Sequence, residues 1–220
     1  MTRLARLLRN QSGAGAAEFA LVLPVAILFL LGIIDAGRYA WALNRIEKAV
    51  QSGARYAVTT DIVPDQLNGK SFIGFNCPSG TLTPGQPICA EALGTITCSI
   101  DNGSASCVCV PTSAGSASCA NVTGSPDSTA LNNIVQRVRV IDPSVTPDLV
   151  NVIYSGSGIG FAGDPRADDD GNQLSEVAPV VTVEVESVAF RLFFLLGATV
   201  DLPAFSYSLT LEDGEGARGY

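Results

Sequence analysis

Apolar and polar positions divide this chain into three regimes. From Phe19 to Ile34 there is no charge and almost no polarity, and Ala16 and Ala17 carry the apolar run back past one carboxylate, Glu18. That approaches the ~20 residues a helix needs to cross a bilayer's hydrocarbon core. From Ala36 to Val58 the pattern changes: Trp41, Ile46, Val50 and Ala57 recur at roughly helical spacing, with Arg38, Arg45, Glu47, Lys48 and Arg55 available for a solvated face. No proline interrupts this second stretch, so the two predict one long helix, membrane-spanning in its first half and amphipathic in its second. Pro24 predicts a local bend of the kind membrane helices tolerate.

The third regime is shorter-ranged. Thr129 to Val140 predicts a short helix with Leu131, Ile134, Val135 and Val138 on one side and Arg137 and Arg139 outward; Pro143 and Pro147 then break the chain. Asn151 to Tyr154 reads as a short strand. Val177 to Val188 alternates, with Val181, Val183 and Val185 on one face and Thr182, Glu184 and Glu186 on the other; Phe205 to Leu211 alternates in the same way. Antiparallel pairing of these last two strands, one face against the helix, predicts an α+β fold: a long N-terminal helix on a small antiparallel sheet. Ala189 to Val200 is strongly apolar but too short for a second span. It reads as a buried connection or as a surface for the membrane or a partner subunit.

Charge orients the helix. Arg3, Arg6 and Arg9 precede the apolar run and Asp35 follows it, which by the positive-inside bias puts the N-terminus in the cytoplasm and exports everything after Asp35. A cleaved signal peptide shares this order, but Leu31 to Asp35 offers a poor cleavage site and the helical pattern continues beyond it. Without residues 1–13, ten basic residues face twenty-one acidic ones, about −11, which disfavours nucleic acid as a partner. The expected organisation is a cytoplasmic leader at 1–13, a helix at 14–60 and one exported domain at 61–220.

Six cysteines, Cys77, Cys89, Cys98, Cys107, Cys109 and Cys119, crowd into a segment of 43 residues rich in Gly, Ser, Thr and Pro. In an exported chain this predicts a disulfide-stapled loop insertion at 77–119, since crosslinks supply the stability that a thin core lacks. The pairing is open among 15 possibilities, although Cys107 and Cys109 are too close in sequence to pair readily. Zinc is the competing use, but the chain has no histidine and no paired CxxC knuckle.

Glu18 is costly at the edge of hydrocarbon unless it snorkels or is paired. Its context supplies a reason. Gly13-Ala14-Gly15-Ala16-Ala17-Glu18-Phe19 resembles the processing site of the Flp class of type IV prepilins: a glycine, four variable residues, a glutamate and an aromatic residue. The likeness continues through Glu18 to Pro24, Gly32 to Arg38, Ala49 and Gly53 to Ala57, and over this first quarter the chain is similar to TadE-like pseudopilins of the tight-adherence pilus system. The resemblance implies a pilin-like fold, a prepilin peptidase cut between Gly13 and Ala14, and a bacterial inner-membrane location with a single pass. It also implies a periplasmic or extracellular C-terminal domain, and other pilins and the pilus assembly platform as partners. Glu18 and Phe19 are then the processing and assembly motif, with Glu18 facing the new amine of a neighbouring subunit. More loosely, the stretch from Val181 to Glu212 resembles the closing portion of that family, and the cysteine segment has no counterpart in its short members.

Other chemistry is sparse. The acidic loop from Asp164 to Glu176 offers Asp164, Asp168 and Asp170 as a weak calcium candidate, but the EF-hand spacing fails and a solvated acidic turn is the simpler reading. Gly156 to Gly160 lacks the GK[ST] ending of a phosphate loop and reads as a flexible turn. Asn121-Val122-Thr123 fits a glycosylation acceptor triplet. Without histidine there is no Ser-His-Asp or Cys-His arrangement, no catalytic residue stands out, and no cofactor motif is present. A non-enzymatic structural protein is therefore the leading class. A membrane-anchored exported binding module with a cysteine-stapled interaction loop is the alternative, and a periplasmic enzyme comes third.

Overall fold

The long helix is real and unbroken. A computed structural model describes residues 13–122, 124, 126–167, 171, 173–194 and 197–211. In chain order the helices and strands are α1 (Ala14–Ala57), β1 (Asn76–Cys77), β2 (Gly80–Thr81), β3 (Thr95–Asp101), β4 (Ser104–Val110), α2 (Ser128–Ile141), β5 (Val150–Ser155), β6 (Val180–Val185), β7 (Ala189–Arg191), β8 (Thr199–Asp201) and β9 (Phe205–Thr210). They divide into two units, Met1–Leu43 with Ala189–Asp201, and Asn44–Val188 with Leu202–Tyr220. The arginines of the predicted leader lie outside the described residues.

In the larger unit a five-stranded antiparallel sheet has the order β4-β3-β5-β6-β9. The predicted pairing of the last two strands is present, in the register Val183↔Tyr207. Alternation puts Ile96, Cys98 and Ile100 of β3, Val150, Val152 and Tyr154 of β5, and Val181, Val183 and Val185 of β6 on the buried face. Against them lie Ile46, Ala49, Val50, Ala54 and Ala57 of α1 with Leu131, Ile134, Val135 and Val138 of α2. Each large aliphatic side chain removed from water here contributes about 1.5–3 kcal/mol. Tyr154 keeps its hydroxyl satisfied inside this core by accepting the Val63 N–H at 3.2 Å.

The helices are tied by polar contacts as well. The Asp127 carboxylate caps α2, accepting the N–H groups of Thr129 and Ala130 at 2.8 and 3.0 Å. At the other end of α2, Asp142 pairs with Arg45 of α1 at 2.7 Å and accepts from the backbone and hydroxyl of Ser144. This corrects two expectations. Arg45 leaves the solvated face of α1 because a buried carboxylate needs a cation, and Arg139 turns back to donate to the Val145 carbonyl at 3.2 Å instead of pointing outward. Glu47, Lys48, Arg55 and Arg137 are exposed as expected.

The cysteine segment does more than staple a loop. It supplies β3 and β4, two of the five strands. Their turn is Asn102-Gly103, both in the left-handed region at φ 50° and 80°, which gives the strand twist of a two-residue hairpin. The bridges join Cys77 to Cys89, Cys98 to Cys107 and Cys109 to Cys119, and the middle one links residues directly opposite each other on β3 and β4. Gly94 is required beside them, because a Cβ there would come within 2.6 Å of both the Cys109 and Cys119 sulfurs.

The Gly156 to Gly160 turn is packed rather than flexible. Gly156 lies so close against the Ala90 carbonyl that no side chain fits, and the Gly160 carbonyl accepts the Ile88 N–H at 3.0 Å.

Two outcomes follow from this packing. A Cβ at Gly53 would stand 2.6 Å from a Val138 methyl and 3.4 Å from a Val183 methyl. Gly53→Ala is therefore expected to lower thermal stability in detergent, an overpacking cost of about 1–3 kcal/mol outweighing the ~1 kcal/mol gained in helix propensity. Gly37→Ala, with open space around it, should lose nothing. Peptide mapping without reduction, using a protease that cuts at Val108, should recover the three bridges as sequence neighbours.

Candidate functional site

The candidate processing residues sit at the start of α1. Gly13 immediately precedes the helix, Ala14 is its first residue, and Glu18 and Phe19 follow in the second turn, both exposed. Nothing lies within 4 Å of a Cβ built on Gly13 or Gly15. Side chains from Phe19 to Leu30 are exposed throughout, including Leu21, Val25, Leu28 and Phe29. The most apolar 18-residue window of the helix has mean hydropathy 2.6 and no buried residue. An apolar surface of this extent is covered by lipid or by other helices.

Where the apolar run ends, sequence reasoning missed the central contact. Asp35 is 1% exposed. Its carboxylate accepts the backbone N–H groups of Phe193 and Phe194 at 3.0 and 2.8 Å and pairs with Arg38 one turn on at 3.0 Å. The Arg38 guanidinium in turn lies over the rings of Phe190 and Phe193, at 5.3 and 5.1 Å from their centroids, and Tyr39 meets Phe190 edge-on at 5.7 Å. The apolar stretch that the sequence left unplaced is thus the β7–β8 hairpin, paired Ala189↔Asp201 and Arg191↔Thr199, pinned to α1 by one carboxylate. The signal available in sequence was weak: an aspartate at a span boundary and an arginine three residues later. Leu195 and Leu196 lie outside the described residues.

Of the three acidic-loop candidates, Asp164 alone lies among the described residues. Asp164 is engaged by Arg166 at 2.8 Å, and Asp168 and Asp170 lie outside the described residues. Glu176, expected in a solvated turn, is instead buried and accepts the Phe72 N–H at 2.9 Å, because the chain on either side of it enters the core. Among the described residues no group of three or more His, Cys, Asp or Glu side chains is placed to hold a metal. Thr123 of the acceptor triplet lies outside the described residues, and Val122 beside it is buried.

An open cleft of about 800 Å³, lined in part by Gln66, Asn68, Lys70, Phe72 and Asn121, lies in the larger unit. Lys70 reaches over the Phe72 ring and donates to the Ala120 carbonyl at 2.7 Å, and burial lowers its amine to about 8.

A long helix with a bare apolar half, continuing into an amphipathic half that packs on an antiparallel sheet, fits a single-pass membrane-anchored α+β protein. Residues 13–55, about a fifth of the chain, match the family model TadE, described as TadE-like protein, so the likeness to that family lies in Gly13 and most of the long helix. No curated protein and no solved structure gives a significant match.

Removing the Asp35 carboxylate tests the pinning directly. In Asp35→Ala, the Phe193 and Phe194 amides should exchange with deuterium about tenfold faster or more, since hydrogen bonds to a charged acceptor contribute ~1.5–3 kcal/mol. The Val152 and Val183 amides of the sheet should keep their protection.

Proposed function

We propose that this chain is a minor pilin or pseudopilin of a Tad-type pilus. A prepilin peptidase removes residues 1–13, and the mature chain takes part in assembling an adhesive fibre. The observation that carries this reading is the coincidence at one point of the start of the TadE match at residue 13, the start of α1 at Ala14, and a bare apolar surface beyond.

The chemistry follows from the parts. The arginine-rich leader stays in the cytoplasm, so the span runs outward and the disulfide-bearing domain folds in an oxidising compartment. Cleavage after Gly13 exposes a cationic amine at Ala14. Glu18 lies one helical turn further on, and in a bundle of such helices it pairs with the amine of a neighbouring subunit, offsetting the cost of placing both in a low-dielectric environment. The exposed face from Phe19 to Leu30 then exchanges lipid for neighbouring helices as the subunit leaves the membrane. In this reading the chain is the peptidase's substrate and needs no catalytic group of its own.

Mass spectrometry of protein coexpressed with the cognate prepilin peptidase should find Ala14 as the first residue. An intact Met1, or a cut after Ile34, would overturn the reading. Gly13→Leu should block cleavage by crowding the protease cleft, whereas Glu18→Gln should be cut yet fail to support piliation.

A further inference from the structure

We propose that the β7–β8 hairpin is a second membrane contact, its apolar tip seated in the headgroup and upper acyl region of the leaflet on the C-terminal side of the span. The inference rests on α1 being the membrane anchor and adds a partner surface to it. The stretch from Gly15 to Ile34 is about 30 Å of helix at 1.5 Å per residue, the thickness of the hydrocarbon core, so Asp35 is the first charged group beyond it. Through the Phe193 and Phe194 amides, Asp35 holds the hairpin within hydrogen-bonding distance of the helix at that depth.

The hairpin presents exposed phenylalanines there, with the Arg191 guanidinium reaching beside Gly197 and Thr199 and Asp201 exposed further back. Phe193 is 73% exposed, and Phe194 and Val200 are also exposed. Surface turns usually carry polar residues, and an apolar tip beside the end of an apolar span is continuous with the surface that lipid already covers. Much of the hairpin's backbone is already paired: the β7–β8 ladder, the Leu192 N–H to Ala198 carbonyl bond and the Asp35 carboxylate, which takes the Phe193 and Phe194 N–H groups, lower the cost of entering this region. Arg38, stacked over Phe190 and Phe193, supplies the cation-and-aromatic composition of a membrane interface, and the exposed ring of Trp41 lies about one turn further along the helix.

Tryptophan quenching in the full chain, reconstituted in phosphatidylcholine vesicles, tests this. In a Trp41→Phe background, Phe193→Trp should emit at blue-shifted wavelength and lose intensity when the lipid is brominated near the top of its acyl chains, with less loss when it is brominated near the terminal methyls. Leu28→Trp in the same background reports the anchor and should be quenched by the deeper bromines. Adding Asp35→Ala to the Phe193→Trp chain should shift its emission to the red and relieve the quenching. If Leu28→Trp is quenched and Phe193→Trp is not, the hairpin proposal fails and the anchor stands. A blue shift at Phe193→Trp that disappears when the protein is diluted in lipid, without bromine quenching, would assign the tip to a second copy of the chain and also overturn it. Failure at Leu28→Trp overturns both readings.

Discussion

A single continuous helix has to satisfy two solvents, and the change between them is made at Asp35. From Phe19 to Leu30 the helix has apolar, exposed side chains suited to hydrocarbon, and from Ile46 onward it buries small and β-branched side chains against a sheet. A carboxylate at that boundary is unfavourable if left bare next to lipid and has no place in a core. Here two backbone N–H groups and Arg38 compensate it, and the hairpin supplying the N–H groups is thereby fixed beside the helix. Further along, Arg45 and Asp142 use the same device with the charges reversed, an arginine of the long helix answering an aspartate at the end of α2. Breaking either buried pair from one side would strand a charge, which typically costs more than losing an aliphatic contact.

Much of this was legible in sequence where a single period dominates. The uncharged run to Ile34, the spacing of Leu131, Ile134, Val135 and Val138, and the alternation of Val181, Val183 and Val185 each report one face in one kind of structure. Legibility failed where pairing at long range decides. Nothing local to Asp35 announces Phe193, and nothing local to Arg45 announces Asp142. The β3–β4 hairpin was a different kind of miss, because Asn102-Gly103 between alternating residues is among the strongest short-range hairpin signals. The same residues carry both signals, since Cys98, Cys107 and Cys109 are crosslinked and also lie on β3 and β4.

For the candidate processing site, residue identity did nearly all the work. Gly13, Ala14, Glu18 and Phe19 are recognised by type and spacing, and folding adds only that the helix starts at Ala14 with Glu18 and Phe19 exposed. At Glu176 the converse holds: its place in an acidic stretch reads as solvated, whereas the fold draws it into the core to accept the Phe72 N–H.

The bridge pattern bears on how the chain acquires its shape. Each cysteine is joined to its nearest unused neighbour in order of appearance: the first with the second, the third with the fourth, the fifth with the sixth. For a polypeptide whose cysteines meet an oxidant one after another in chain order, joining each new thiol to the unpaired one just before it arrives at the native set without a wrong bond to undo. Sequence order alone then does the work of a proofreading catalyst, and β3 and β4 can be locked together before β5 is available to pair with β3.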